Sequence, residues 1–193
     1  CAWPDDNLDI LKYQWDKVLI PYWKSFAQSA KDCGVSKIAL ELHPGFSVYN
    51  VDTLKRLREA VGPEIGVNFD PSHLLWQGME PVAVIRAFAG MIYHVHAKDV
   101  CIDRYNTARN GVLDTKHYSD ETHRSWIFRT IGYGNDAKYW KDIFSELRKT
   151  GYDGTISIEH EDSLINRLEG LQHAVDMVKS CAIFAETSGM WWA

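Results

Sequence analysis

Apolar and polar positions along this chain alternate between two rhythms. Runs of strand length occupy residues 37–42 (KIALEL), Ile65–Phe69 (IGVNF), 91–96 (MIYHVH) and 155–158 (TISI). Between them, apolar residues recur at the three-to-four spacing of a helix face. Such faces are predicted over Val51–Val61, with Leu54 and Leu57 inward and Asn50 or Asp52 as cap. They are also predicted over 81–88, with Pro81 in the first turn, over 136–149 through Trp140, Ile143, Phe144 and Leu147, and over 168–185 through Leu171, Val175, Val178 and Ala182. A longer stripe leads the chain over 8–32, through Leu11, Trp15, Val18, Leu19, Tyr22, Trp23 and Phe26; Pro21 should kink or interrupt it and Gly34 ends it. His43-Pro44-Gly45, Gly62-Pro63 and Gly151 punctuate the rest.

The resulting order, a helix followed by four strand–helix units, implies an α/β fold with a parallel sheet and right-handed crossovers. Four strands and a leading helix amount to about half of an eight-stranded TIM barrel, which needs ~250 residues. An open flavodoxin-like sheet is the alternative, but it usually carries a Gly-rich first loop, and none is visible. Residues 1–193 are expected to form a single domain. Residues 100–128 have no clean period and are rich in Arg, Asp, Asn, Thr and His, which predicts a long loop insertion or lid. The tail, Met190-Trp191-Trp192, is apolar enough to dock somewhere.

Composition narrows the function classes. The 193 residues are 46% hydrophobic and 24% charged, the range of globular domains. No apolar run reaches the ~18 residues of a membrane helix, so no membrane partner is expected. The net charge of −5 and the lack of a Lys/Arg block argue against a nucleic-acid partner. Cys1, Cys33, Cys101 and Cys181 match no zinc or redox spacing, so free thiols and a cytoplasmic location are expected.

Chemistry collects at the strand ends. The first strand ends on Glu41 and His43, the second on Asp70 and His73, the third on His94, His96 and Lys98, the fourth on Glu159 and Glu161. In a parallel barrel all strand C-termini open on one rim. The two-residue period of a strand lets Glu41, Asp70, His96 and Glu159 point inward together. One such glutamate is ordinarily a solvated loop carboxylate; four strands out of four is a pattern. Three carboxylates and an imidazole suit one divalent ion, Mn2+, Mg2+ or Co2+, with Zn2+ a poorer match because no thiolate is offered. His94 shares the face of His96 one layer deeper, where a buried hydrogen-bonded role is expected. His160 should face outward, and His117 and His123 should be solvated.

The segments LELHPG, FDPSH, YHVHAKD and SIEHED, in this order, resemble the sugar phosphate isomerase/epimerase superfamily, the xylose isomerase-like TIM barrels. That group includes ketose 3-epimerases, hydroxypyruvate isomerases, inosose dehydratases and, more distantly, endonuclease IV. The resemblance runs from Asp5 to the end. It implies a metal site on Glu41, Asp70, His96 and Glu159, with Glu41 and Glu159 as the catalytic pair that removes and returns a proton next to a carbonyl through a metal-stabilised enediolate. It implies substrate contacts from His73 and from Arg129, which precedes the turn Gly132-Tyr133-Gly134, and His43 and Lys98 are grouped with them. The implied substrate is a small sugar or sugar phosphate. By family logic these strands are the fifth to eighth, so an N-terminal half of the barrel is expected upstream, and the open edges invite a homo-oligomer. One departure stands out: the ketose 3-epimerases carry a second glutamate where this chain has Ser47. An inosose-type dehydratase on the same scaffold is therefore a rival. An endonuclease IV-like phosphodiesterase is a weaker one, since it needs more histidine ligands and a basic groove.

Overall fold

The computed structural model describes residues 4–192. Its core is a four-stranded parallel sheet in the order β1 (Ile38–Glu41), β2 (Ile65–Phe69), β3 (Ile92–Ala97), β6 (Ile156–Ile158). These four strands match the runs read from the pattern, with ends shifted by one residue. The crossovers are α3 (Val51–Val61), α5 (Pro81–Ala87) and α7 (Ala137–Lys149), and α8 (Arg167–Cys181) closes the chain. Asn50 caps α3 through a box with Thr53, Asp136 caps α7 and Asn166 caps α8, so each helix starts where a short polar side chain can accept its free N–H groups.

β2 is buried along its whole length. Val67 and Phe69 face the helices and join Leu54, Leu57, Ile85, Phe88, Trp140 and Ile143 in one core, all within 1% of complete burial. The intervening Asn68, and Asp70 just past the strand, lie on the other face, toward the rim. This alternation separates the packed side of the sheet from its chemical side.

The leading helix departs from expectation in two ways. It runs as α1 (Asp5–Tyr13), a π turn over Gln14–Leu19 and α2 (Ile20–Asp32). Pro21 has no N–H to donate and its ring crowds the carbonyl one turn earlier; the chain responds with a wider π turn instead of a break. Of the predicted stripe only Trp15 is buried, under the Arg56 guanidinium at 4.3 Å, while Leu11, Val18, Tyr22 and Phe26 are exposed. The helix lies against α3 and packs Leu19 and Trp23, both partly buried, against the core, while no described element covers Leu11, Val18, Tyr22 and Phe26. The tail also fails to dock: Met190, Trp191 and Trp192 are exposed, because α8 has ended and no described apolar surface reaches them. Among the described residues Cys33, Cys101 and Cys181 are free; Cys1 lies outside them.

Part of the expected loop over 100–128 is regular structure, and 111–125 keeps only turns and coil. β4 (Asp99–Ile102) and β5 (Trp126–Arg129) pair antiparallel, and α6 (Arg104–Asn110) lies between them. The pattern hid this arm because its strands are only four residues long and its helix buries no residue. A further short helix, α4 (Pro71–Leu75), was not predicted; Asp70 caps it by accepting the Ser72 N–H. No helix of the described residues is long and apolar enough to cross a membrane.

Candidate active site

Adjacent parallel strands end at one level, and that brings Glu41, Asp70, His96 and Glu159 together. One ligand atom from each lies within 4.8 Å of all the others. His96 Nδ1 is 2.8 Å from Glu159 Oε2 and 3.5 Å from Glu41 Oε2. His73, on α4, sets its Nε2 2.9 Å from Glu41 Oε1 and 3.4 Å from Asp70 Oδ2.

These contacts are close without being hydrogen bonds. Asp70 Oδ2, His73 Nε2 and Glu159 Oε2 are all buried with no hydrogen-bond partner of good geometry. Buried polar atoms are rarely left so. Three carboxylates this near one another also repel. Burial, with Glu41 adding to it, pushes the Asp70 carboxyl up to about 8, so that without a cation it would hold a proton at neutral pH. A bound cation would resolve both the unpartnered atoms and the repulsion. The donor set therefore fits a divalent ion.

The groups around the cluster carry opposite tendencies. The His73 contact, opposed by burial, keeps Glu41 below the usual carboxylate range. Burial holds His73 below an ordinary histidine, which keeps its ring neutral. Lys98 is almost wholly buried, which works against its charge, yet Glu159, Asp70 and Glu161 outweigh that and raise its pKa. Its ammonium is 2.8 Å from Glu159 Oε1, 3.2 Å from Glu161 Oε2 and 4.0 Å from the centre of the Phe128 ring.

The remaining predicted residues fall around this centre. His43 is exposed on the loop after β1, its ring 4.4 Å from that of His73. Arg129, at the end of β5, is held by Glu121 at 2.5 Å and Asp162 at 3.5 Å. In this arrangement its charge is already matched by carboxylates. His94 Nε2 meets Ser157 Oγ at 2.9 Å, and His160 Nε2 meets Thr130 Oγ1 at 3.0 Å. His123 is exposed and pairs with Asp120, and His117 is exposed beside Ser119.

Two residues escaped the sequence reading. Asn68 sets its Nδ2 3.2 Å from His96 Nε2 and 3.5 Å from Glu41 Oε2, a link between two of the candidate ligands. Its position two before Asp70, on the same strand face, was the available signal. Asp99 is buried at the root of the arm, where it accepts the N–H groups of Val100, Gly132, Gly134 and Asn135 and the Asn135 side-chain amide. Burial still raises its pKa against those donors. The turn wraps so tightly that a Cβ on Gly134 would sit 2.5 Å from the Val100 carbonyl oxygen, and Gly132 takes φ +95°. No local motif announces that role, since the partners lie more than 30 residues downstream.

A parallel α/β sheet whose adjoining C-termini gather one such ligand set defines a barrel-type enzyme scaffold. The chain belongs to the family described as the xylose isomerase-like TIM barrel, whose model matches residues 4–181. It is similar to Bacillus subtilis (strain 168) "Uncharacterized protein YfiH", 47% identical over 178 residues, which are 92% of this chain and 57% of that protein. It is also similar to the inosose dehydratase of Geobacillus thermodenitrificans (strain NG80-2), 27% identical over 77% of this chain and 47% of that one. A crystal structure of a xylose isomerase domain protein from Planctomyces limnophilus superposes with TM-score 0.61 at 22% identity, covering 84% of this chain and 50% of that one. The chain thus spans about half the length of the relatives it matches. The family and the half-barrel sheet expected from the motifs are both present.

Proposed function

We propose that this region carries the metal centre and proton-transfer groups of an enzyme that isomerises or epimerises a sugar or sugar phosphate. The observation that carries the reading is the convergence of Glu41, Asp70, His96 and Glu159 with unpartnered oxygens on two of them. These four would hold one divalent ion, with Mn2+, Mg2+ or Co2+ preferred by the oxygen-rich set and Zn2+ also accommodated. Such an ion supplies Lewis-acid stabilisation of negative charge developing on substrate oxygens.

Glu41 and Glu159 come from opposite edge strands of the sheet and flank the space between them. One takes a proton from the carbon next to the carbonyl and the other returns it. His73 orients Glu41 through the 2.9 Å contact, and the Lys98 ammonium fixes one oxygen of Glu159. His43, His73 and Arg129 are the proposed substrate contacts; Arg129 must exchange a carboxylate of this chain for one on the substrate to act so. The arm over 100–128 is proposed to shield the rim from water.

Two observations favour a second outcome, dehydration. One relative is an inosose dehydratase, and Ser47 stands where ketose 3-epimerases carry a glutamate. Lys98, charged and beside Glu159, could then protonate a departing hydroxyl. Both outcomes share the first proton abstraction, and product mass separates them: unchanged for isomerisation, one water lighter for dehydration.

The test is turnover with Mn2+ on a panel of ketoses and inososes, wild type against Glu159→Gln. The amide can still accept a hydrogen bond but takes no proton, so kcat should fall by about 10²- to 10⁴-fold with a smaller change in KM. Near-normal kcat in Glu159→Gln would remove the proton-transfer assignment. Equal metal content in wild type and Asp70→Ala would remove the metal centre.

A further inference from the structure

The arm and the loop after β1 line an open cavity of about 480 Å3 that borders the candidate metal cluster through His73 and is walled by Trp76, Trp126, Phe128 and Tyr118. Trp76 and Trp126 stack with centroids 4.4 Å apart and planes 7° from parallel. Set into this apolar wall is Arg124, only 3% exposed. Its Nε donates to the Trp126 carbonyl at 3.1 Å and its Nη1 to the Lys116 carbonyl. The guanidinium carbon lies 4.3 Å from the Tyr118 ring centre and 4.8 Å from that of Trp126.

No carboxylate pairs with Arg124 among the described residues, and its Nη2, which is not closed off from solvent, makes no hydrogen bond there. Of the other charges on the cavity, Asp114 is already matched: Lys116 Nζ lies 3.0 Å from both its oxygens, and the Ser125 and Lys116 N–H groups donate to it. The cavity therefore carries one uncompensated positive charge. A buried cation without an anion costs several kcal/mol by order of magnitude. Two aromatic faces return about 2 kcal/mol each at best. Two backbone carbonyls satisfy only part of a guanidinium with five N–H donors. What is lacking is a planar or tetrahedral oxyanion.

We propose that the arm cavity is an anion subsite, in which Arg124 binds a carboxylate or phosphate carried by the substrate on its end remote from the reacting carbon. This rests on the function proposed above and narrows its substrate class to acidic sugars or polyols. The aromatic walls suit the C–H face of a ring between the anion and the metal cluster. Asp114 and Lys116 neutralise each other and leave the selectivity to Arg124.

The experiment uses the 193-residue chain, stripped of metal with chelator so that anions cannot bind an ion. Inorganic phosphate, acetate and neutral glycerol are titrated while the tryptophan emission of the chain is followed, with Trp76 and Trp126 two of its eight tryptophans. Saturable change with phosphate or acetate at a dissociation constant of about 1–10 mM, and none with glycerol, is the expected result. Phosphate alone would assign a phosphorylated substrate, and acetate at equal or better affinity a carboxylate. Two variants guard the reading. Arg124→Gln should lower affinity about tenfold, the loss of one charged hydrogen bond. Leu113→Asp, at a position 86% exposed on the cavity lining, should weaken anion binding in a chain whose folding it does not touch. No saturable response in the wild type, or undiminished binding in both variants, would overturn the subsite. Mn2+ titration of the same samples reads the metal centre separately: anion binding without metal binding would break the proposed function and leave the subsite standing.

Discussion

The parallel sheet and the arm place side chains around the same space by different means. In the sheet, β2 is buried throughout, and Leu54, Leu57, Phe69, Ile85, Phe88 and Trp140 pack behind it, so the positions of Asp70 and His96 follow from apolar burial and strand register. The arm rests on a smaller hydrophobic cluster of Trp76, Val100, Trp126 and Phe128. Its shape comes from buried polar groups: Asp99 holding the turn over 132–135, Asp114 accepting the Ser125 N–H, and Arg124 tying two backbone carbonyls. A core of that first kind tolerates loss of a polar contact at its edge. A segment of the second kind depends on each buried hydrogen bond, because every orphaned group costs its full desolvation.

The sharpest way to separate the two regions is to remove one. Replacing residues 103–125 with a short Gly/Ser link should cut turnover by about 100-fold or more through lost positioning. The main thermal unfolding transition of the sheet should move little. Undiminished turnover would reduce the arm to a passive insertion, and loss of the folded sheet would show that the two regions are one cooperative unit.

A single residue should produce the next largest effect. Asp99→Ala leaves the N–H groups of Gly132, Gly134 and Asn135 without their acceptor, at a cost of about 3 kcal/mol. Near-ultraviolet circular dichroism of the Trp76–Trp126 stack should weaken while far-ultraviolet helix content holds. A stack signal equal to wild type would mean that Asp99 does not anchor the arm.

The smallest effect concerns acid. Asp114, whose burial is outweighed by two backbone N–H groups and the Lys116 ammonium, is held well below its usual value. Glu146, between Arg86 and Lys149 on the helix side of the sheet, is brought down to about 2. For a carboxylate depressed by folding, the stability gained is fully present above its unfolded value, near 4, and is lost as pH falls through the folded one. Between about pH 4.5 and 2 both regions should weaken. Asp114→Asn should remove the pH slope from the tryptophan signal of the arm only, and Glu146→Gln from the global unfolding midpoint only. A slope shared by both probes in both variants would erase the distinction.

Much of the sheet was legible in advance because its information is local. Alternation in IGVNF and YHVHA sets which residues face the helices, and parallel register then brings the candidate ligand residues, 29, 26 and 63 apart in sequence, to one level without further instruction. The leading stripe was legible as a helix but not as an exposed one, since an apolar face records a tendency to be covered and not what covers it.

By itself the sequence determined the strand–helix alternation, the parallel sheet and the four groups that converge at its rim, all consequences of short-range periodicity and chain connectivity. Only the tertiary structure decided that 100–128 holds a short antiparallel ribbon and a helix, that Asn68 bridges His96 and Glu41, and that Asp99 holds a turn more than 30 residues away. It also decided that Arg124 is buried between two rings with no acid beside it among the described residues. The physical reason is range. Hydrophobic periodicity is written into neighbouring residues, whereas the cost of a buried charge depends on which distant groups surround it, and that is settled only when the chain is packed.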